Sequence, residues 1–331
     1  MLSYVLRRTL LMIPTLILLS MLTFIVIDLP PGDFLSSYVA GLEAQGVQVT
    51  EEHIASLRQR YALDKPLHQR YVNWLWRMIR YGDFGQSWNW ERPVKDLLLE
   101  RLPFTILISV STLILTYIVA IPIGIYSAVN QYSWGDYIFT TLGFLGLAIP
   151  NFLLALVLMF VFFKYFGISI GGLFSPEFRD APWTMARVID LINHLWTPII
   201  VVGTAGTAKL IRIMRGVMLD ELSKDYVQTA RAKGLPEFLV IVKHAARVAI
   251  NPIISVVGWT LPAIVSGEAI TAIVLNLPTT GPLLLQSLLT QDMYLAGSFI
   301  FALSALTVIG TLLSDLLLAW VDPRIRYDTT K

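Results

Sequence analysis

The residues whose position most directly suggests chemistry are charged side chains set in long apolar stretches. Lys209, Glu268 and Asp315 each lie within or at the edge of such a stretch. An ionisable group in a segment that could span a membrane is costly and is a functional candidate by default. Such groups can bind a polar solute or form a structural ion pair.

Each of these three positions leads to a separate prediction. Glu268 either faces a translocation pathway, where it would meet an ammonium or hydroxyl group of a solute, or reaches water at the outer interface. Trp259 is assigned to the same predicted pathway. Lys209 can extend its ammonium to the inner headgroups. Asp315 is expected to pair with Lys209 or Arg212, because an unpaired charge at that depth is costly.

Several other chemistries are excluded by the residue inventory. The chain has no cysteine, which excludes disulfides and cysteine metal sites. Its 4 histidines are scattered without metal-ligand spacing. No phosphate-binding loop, HExxH sequence, nucleophile elbow or paired acid constellation is present. We therefore expect no enzyme, no intramembrane hydrolase and no bound metal. The net charge of +2 does not indicate a nucleic-acid partner.

The composition predicts a membrane protein that crosses the bilayer several times. Of 331 residues, 55% are hydrophobic and only 15% are charged, against about 25% charged in soluble domains. A helix needs about 20 apolar residues to cross the hydrocarbon layer. Six apolar runs are interpreted as such spans: Thr9–Ile27, Pro103–Val129, Tyr137–Phe163, Leu191–Ala208 with its start near Leu195, Val248–Leu275 and Met293–Val321.

Basic residues predict the orientation of these segments. Lys and Arg near membrane-spanning ends mark the cytoplasmic side, whereas long segments translocate largely regardless of charge. The 212–249 loop and both termini are basic, so we expect both termini inside. The first apolar segment is too long for the core of a signal peptide and is expected to be retained. The predicted fold is all-α with six transmembrane helices.

The predicted organisation has three regions. Residues 1–27 form the N-terminal tail and first transmembrane helix, 28–102 an extracytoplasmic segment, and 103–331 the core. Within 28–102, the spacing predicts helices at Glu51–Tyr61 and Tyr71–Ile79. Four tryptophans of this segment are expected either to anchor at the membrane interface or to stack against a passing solute: Trp74, Trp76, Trp88 and Trp90.

The cytoplasmic loop 212–249 is polar yet has the pattern of ordered helices. A helix over Asp220–Lys233 is expected to end at Gly234. Pro236 suits the first turn of a second helix, which is basic and amphipathic over Phe238–Ile250. Asn251-Pro252 is expected to cap this helix where the fifth membrane segment begins. A helix–glycine–helix unit rich in alanine permits close approach of a partner backbone.

This loop resembles the EAA-type coupling motif of ABC importer permeases, and more narrowly that of the dipeptide/oligopeptide permease family. The resemblance extends over almost the whole chain, and the chain is similar to the B-type subunit of that family. The motifs that carry it are Asp225-Tyr226-Val227-Gln228-Thr229-Ala230-Arg231-Ala232-Lys233-Gly234, Leu6-Arg7-Arg8, Pro31-Gly32-Asp33, Leu63-Asp64-Lys65-Pro66, Gly82-Asp83-Phe84-Gly85-Gln86-Ser87, Arg101-Leu102-Pro103 and Val321-Asp322-Pro323-Arg324.

The resemblance implies a type I ABC importer permease fold and a mechanism. Such a permease pairs with a second permease in the prokaryotic inner membrane. Two cytoplasmic ATPases, which carry ATP and Mg, clamp below them, and an external binding protein delivers the solute. The chain itself would bind no cofactor. On this resemblance the ATPase-coupling residues are Tyr226, Thr229, Ala230, Arg231, Lys233 and Gly234.

The solute class and one competing function stay open at this point. Family members handle peptides by default, and oligosaccharides are the alternative. The family usually has a glutamate shortly before Pro-Gly after the fifth helix, where this sequence has Ala272 and Pro278-Thr279. This departure, with the aromatic outer segment, favours sugars slightly. A secondary transporter is the competing class, although no internal repeat is visible and the coupling loop would have no role in it.

Overall fold

The computed structural model describes residues 2–28, 39, 50 and 65–321, without the side chains of some residues inside helices. Within these residues the chain is helical and contains no strand beyond an isolated bridge between Gln86 and Pro93. The α-helices are α1 (Leu2–Asp28), α2 (Leu67–Tyr81), α3 (Val94–Val129), α4 (Trp134–Ala148), α5 (Asn151–Phe166), α6 (Met185–Leu222), α7 (Asp225–Ala232), α8 (Glu237–Leu239), α9 (Arg247–Val274), α10 (Thr280–Leu289) and α11 (Met293–Val321). A π-helix over Val240–Ala246 joins α8 to α9.

Long apolar helices confirm a membrane protein. Among the described residues, four helical stretches are long and apolar enough to cross a bilayer: Val94–Val129, Met185–Leu222, Glu237–Gly258 and Met293–Leu317. The bent pair α4 and α5 is a fifth if it is counted as one span, and Thr9–Ile25 is a shorter apolar helix. Apolar side chains such as Ile118, Phe144, Phe160 and Phe163 are more than half exposed. Such exposed apolar surface on long helices suits contact with lipid.

Two predicted segments differ from the helices observed. The third predicted segment, Tyr137–Phe163, consists of α4 and α5, which meet at an angle of 103°. Pro150 stands at the break; proline has no N–H to donate and disfavours helical geometry in the residue before it. The fourth predicted segment is only part of α6, a helix of 38 residues.

Two loops also contain more helix than the sequence indicated. Most of the stretch between the fifth and sixth predicted segments is helix α10. The predicted cap at Asn251-Pro252 is wrong, because both residues lie inside α9, which continues the π-helix without a break. The predicted helix Glu51–Tyr61 lies outside the described residues.

Residue contacts divide the chain into two compact units. The larger unit comprises Thr105–Pro278 with the described residues of Met1–Leu6 and Ile309–Lys331. Its core lies where α3, α6, α7 and the π-helix meet, around the buried side chains of Met214 and Met218. Gly124 permits the close approach of α3 to α6, since a Cβ there would lie 2.6 Å from the Cβ of Met214.

The smaller unit comprises Thr279–Val308 with the described residues of Arg7–Phe104. Asp292 organises it: its carboxylate accepts hydrogen bonds from the Ser87 hydroxyl at 2.5 Å and the Trp88 N–H at 2.8 Å. It also accepts the N–H of Leu295 at 3.1 Å, so it caps the N-terminus of α11. One carboxylate therefore joins the 82–89 turn to the start of a long helix.

The tryptophans of the smaller unit do not share one environment. Trp74 and Trp88 are buried, and they pack with Phe24 and Met293 in one hydrophobic cluster. Trp76 is 62% exposed. The prediction of interfacial anchoring or solute stacking for all four tryptophans is therefore wrong for Trp74 and Trp88, which are core residues.

Candidate functional site

Helix α7 and its glycine terminus form the centre of the candidate site. The predicted stop at Gly234 is confirmed, because Gly234 adopts φ +75° directly after the helix. Its N–H donates to the Arg231 carbonyl at 2.9 Å, and the Leu235 N–H donates to the Ala230 carbonyl at 3.4 Å. Only glycine adopts this left-handed conformation readily. The helix begins at Asp225 rather than Asp220, because α6 ends at Leu222.

One side of α7 is buried in the core of the larger unit. Val227 is fully buried and Ala230 is 4% exposed, and both pack in the cluster around Met214 and Met218. Ala230 is thus not available on the surface for a partner. Its small side chain lets α7 lie close to the π-helix, whose Ala245 and Ala246 are also buried.

The other side of α7 is open to solvent. Tyr226, Thr229, Lys233 and Gly234 are exposed. The Tyr226 hydroxyl donates a short hydrogen bond to the Glu221 carboxylate. Partial burial and this carboxylate together raise the pKa of Tyr226 to about 12, so the phenol stays neutral at physiological pH. The Thr229 hydroxyl donates to the Asp225 carbonyl at 2.8 Å, which satisfies it within the helix.

Arg231 connects the two helices of the loop across the glycine. Its Nη2 donates to Glu237 at 2.7 Å, and its Nε lies 3.2 Å from both carboxylate oxygens. The hydrogen bonds to Glu237 raise the pKa of Arg231. This pair fixes the direction in which the chain leaves α7. Phe238, next to it, is 77% exposed, a large apolar side chain that the sequence motif did not single out.

A buried ion pair lies behind the loop. Arg215 on α6 contacts both carboxylate oxygens of Asp136 on α4 at 2.8 Å. Asp136 also accepts the Tyr132 N–H at 3.0 Å and the Thr140 hydroxyl at 3.2 Å. The sequence reasoning missed this pair because Asp136 stands just before the charge-free run that it examined. An acid in the first turn of an apolar helix was the available signal.

The predicted pathway residues are only partly placed. Trp259 and Glu268 lie on α9, but their side chains are outside the described part of the structure. Lys209 lines a partly open cavity of about 260 Å³ formed mainly by α6 and α9. Arg212 is exposed. Within the described residues the structure records no ion pair of Lys209 or Arg212, and the pairing of Asp315 stays a prediction.

Two protein families match this chain. The family described as binding-protein-dependent transport system inner membrane component matches residues 120–327. The N-terminal family of the same membrane components matches residues 1–110. The first of these matches includes the α7–Gly234 unit, and the second includes α1 and α2.

Curated relatives match this chain over nearly its whole length. The oligopeptide transport system permease protein AppB of Bacillus subtilis is 35% identical over 327 residues, which are 98% of this chain and 99% of that protein. A putative peptide permease protein of Brucella ovis is 34% identical over 328 residues, 98% of this chain and 99% of that protein. The glutathione transport system permease protein GsiC of Salmonella choleraesuis is 32% identical over 327 residues, 99% of this chain and 100% of that protein.

The apolar helices, the helix–glycine–helix loop and these matches lead to one conclusion. The chain belongs to the family of inner membrane components of binding-protein-dependent transport systems.

Proposed function

We propose that this chain is one of two permease subunits of an ATP-driven importer of short peptides. The observation that carries the proposal is the full-length similarity to relatives named as oligopeptide, peptide and glutathione permeases. The importer would also contain two cytoplasmic ATPases, which bind ATP and Mg, and an external solute-binding protein. No catalytic step is assigned to the chain itself.

The oligosaccharide alternative is not favoured. It rested on the Pro278-Thr279 departure and on the aromatic outer segment. Trp74 and Trp88 of that segment are buried and cannot offer their faces to a solute. The names of the relatives refer to peptides and glutathione, and these support peptides instead.

The proposed topology has six transmembrane helices with both termini in the cytoplasm. The basic residues of the 212–249 loop and of the termini support this orientation through the positive-inside rule. The regions 1–27, 28–102 and 103–331 keep their proposed roles as first helix, extracytoplasmic segment and permease core. Glu268 and Trp259 on α9 are proposed to line the pathway.

The coupling role is proposed for the exposed side of α7 and the turn after it. Tyr226, Thr229, Arg231, Lys233 and Gly234 would meet a groove of the ATPase, while Ala230 holds α7 to the core. The burial of Val227 and Ala230 among α6 side chains supports transmission, because a push on α7 acts on α6 through packed atoms.

Reconstitution tests this function. The chain would be copurified with its native partners, placed in lipid vesicles with the binding protein, and assayed for ATP hydrolysis with short peptides and with cello-oligosaccharides. Stimulation by peptides that requires the binding protein is expected. Stimulation by oligosaccharides alone would overturn the peptide assignment, and uptake that persists without any ATPase would favour a secondary transporter.

Removal of residues 226–236 provides a second test. An importer should lose its ATPase subunits on copurification, whereas a secondary transporter would keep some uptake. Because Val227 and Ala230 of this stretch are buried, the control is that the shortened chain still reaches the membrane and copurifies with the second permease.

A further inference from the structure

The cavity lined by Lys209 is the feature that the coupling mechanism leaves unused. It holds about 260 Å³ and is lined mostly by apolar residues of α6 and α9. Its polar lining residues are Lys209, Asn151 and Thr260. An apolar wall with a few convergent polar groups is the usual form of a small-molecule site.

The three polar residues of the cavity differ in the hydrogen bonds and ion pairs that they already make. The Thr260 hydroxyl donates to the Val256 carbonyl at 2.9 Å, and the Asn151 amide lies 3.5 Å from the Val202 carbonyl. Lys209 is exposed and has no ion-pair partner within the described residues. Lys209 is therefore the one cationic donor in the cavity lining, and helix α5, which begins at Asn151 in the same lining, adds partial positive charge.

A second cavity on the same helix has a lining without charge. It holds about 300 Å³ and is lined by another face of α6 with α3 and α4. Its lining includes Leu115, Ile123 and Leu142, and no charged residue. A lysine in contact with hydrocarbon would be costly, so the two faces of α6 meet different surroundings. The Lys209 face suits a water-filled pathway, and the uncharged face suits lipid.

We propose that Lys209 binds the carboxylate of the transported solute as it passes the Lys209 cavity. This rests on the proposed function, since a short peptide carries a free C-terminal carboxylate. The interaction is a charge-assisted hydrogen bond from the ammonium to a carboxylate oxygen. The apolar wall formed by Val202, Ala263 and Ile264 would contact the side chain of the terminal residue.

The first experiment compares two peptides in the reconstituted complex. Uptake of a tripeptide with a free C-terminus is divided by uptake of the same tripeptide as its amide. The binding protein has its own preference, but that preference is equal in every variant and cancels between them. Lys209→Gln should lower this ratio about tenfold, the effect of losing one hydrogen bond to a charged group, and Lys209→Arg should retain most of it.

Arg212→Gln is the matched control, because Arg212 is an exposed cation on the same helix that does not line the cavity. A ratio that is unchanged in Lys209→Gln, or that falls equally in Arg212→Gln, would overturn the proposal while leaving the importer intact. A wild-type complex without ATP-dependent peptide uptake would overturn the importer itself.

A second experiment does not depend on the activity of the charge variant. Because the chain has no cysteine, Lys209→Cys introduces its only thiol. A water-soluble, negatively charged thiol reagent should label the introduced thiol, and saturating tripeptide should slow the labelling several-fold. In the wild-type complex this chain has no thiol, so any labelling there gives the background from the partner subunits.

A lipid phosphate is the other source of an anion at this depth. Labelling that responds to anionic lipid in the vesicles but not to the tripeptide would overturn the proposal. So would a thiol that no reagent reaches.

Discussion

Arg215 donates two parallel hydrogen bonds, each 2.8 Å long, to the Asp136 carboxylate, and so joins the C-terminal part of α6 to the first turn of α4. The Asp136 side chain is only 4% exposed, and the carboxylate accepts two further hydrogen bonds from its own helix start. A buried ion pair of this kind fixes the relative position of the two helices more than it adds net stability. Removal of one partner, however, leaves an uncompensated charge.

Asp136→Asn should therefore lower the free energy of unfolding by about 3 kcal/mol. Arg215→Gln should cost less, because Arg215 is 25% exposed and water can replace part of its contacts. The double variant should cost no more than the worse single variant, since both charges are then gone. Unfolding in detergent micelles would be followed by titration with denaturant, with Arg212→Gln as the control at an exposed cation.

The glycine that ends α7 allows a prediction about coupling. Gly234→Ala should destabilise the loop by about 1 kcal/mol, because φ +75° is unfavourable for a residue with a Cβ. No atom lies within 4 Å of that Cβ, so the effect is conformational and not steric. ATP hydrolysis coupled to peptide uptake should fall while the fold is retained.

Gly216→Ala is the matched control for this prediction. Gly216 also has no atom within 4 Å of a built Cβ, but it lies inside α6 with helical geometry. Alanine there should be neutral or stabilising, since it favours the helix. Equal loss of coupled uptake in both variants would show that the left-handed turn is not the cause.

Truncation of the two tryptophans of α2 should change the free energy of unfolding by very different amounts. Trp74→Ala should cost about 3–5 kcal/mol, as for other large buried aromatic residues. It also removes the hydrogen bond from the indole N–H to the Phe84 carbonyl at 3.1 Å. Trp76→Ala should change the free energy of unfolding by less than about 0.5 kcal/mol. Denaturant titration in detergent micelles measures both, and similar losses would contradict the burial of Trp74.

The free energy of unfolding should depend on pH because of the Asp292 carboxyl. Burial raises the pKa of Asp292, although hydrogen bonds from Ser87 and from the backbone of Leu295 and Trp88 oppose this. A carboxyl whose pKa is higher in the folded state binds its proton more tightly there. Its contribution to stability is therefore greatest below the unfolded pKa and declines as the pH rises through the folded pKa.

Asp292→Asn provides the reference for that measurement. Asparagine does not titrate, so the difference in unfolding free energy between wild type and variant should change as the pH rises above the ordinary carboxyl range. The variant should also be less stable overall, because an amide cannot accept as many hydrogen bonds from Ser87, Trp88 and Leu295. A difference that is constant with pH would contradict the raised pKa.

Features set by local chemistry could be predicted from the sequence. The left-handed stop at Gly234 follows from glycine after a helical pattern, and α11 occupies Met293–Val321 as the apolar run indicated. Family resemblance could propose coupling residues because the motif is contiguous. It did not show that Ala230 faces inward, since orientation depends on packing against α6.

Features set by distant contacts could not be predicted. The 103° bend at Pro150 lies inside a continuous apolar run, and hydropathy alone therefore predicts a single segment. Arg215 and Asp136 are far apart in the chain, and neither belongs to a motif. The burial of Trp74 and Trp88 depends on Phe24 and Met293, and a tryptophan beside a membrane segment is compatible with either a core or an interface.

The length of α6 has a mechanical consequence. Its 38 residues form a rod of about 57 Å, against about 30 Å of hydrocarbon. The same rod ends beside α7 and carries Arg215 and Lys209 along its course. A tilt of about 10° about one end of such a rod displaces the other end by about 10 Å. A small rotation of α6 about its Leu222 end, beside α7, would therefore become a large displacement at Met185.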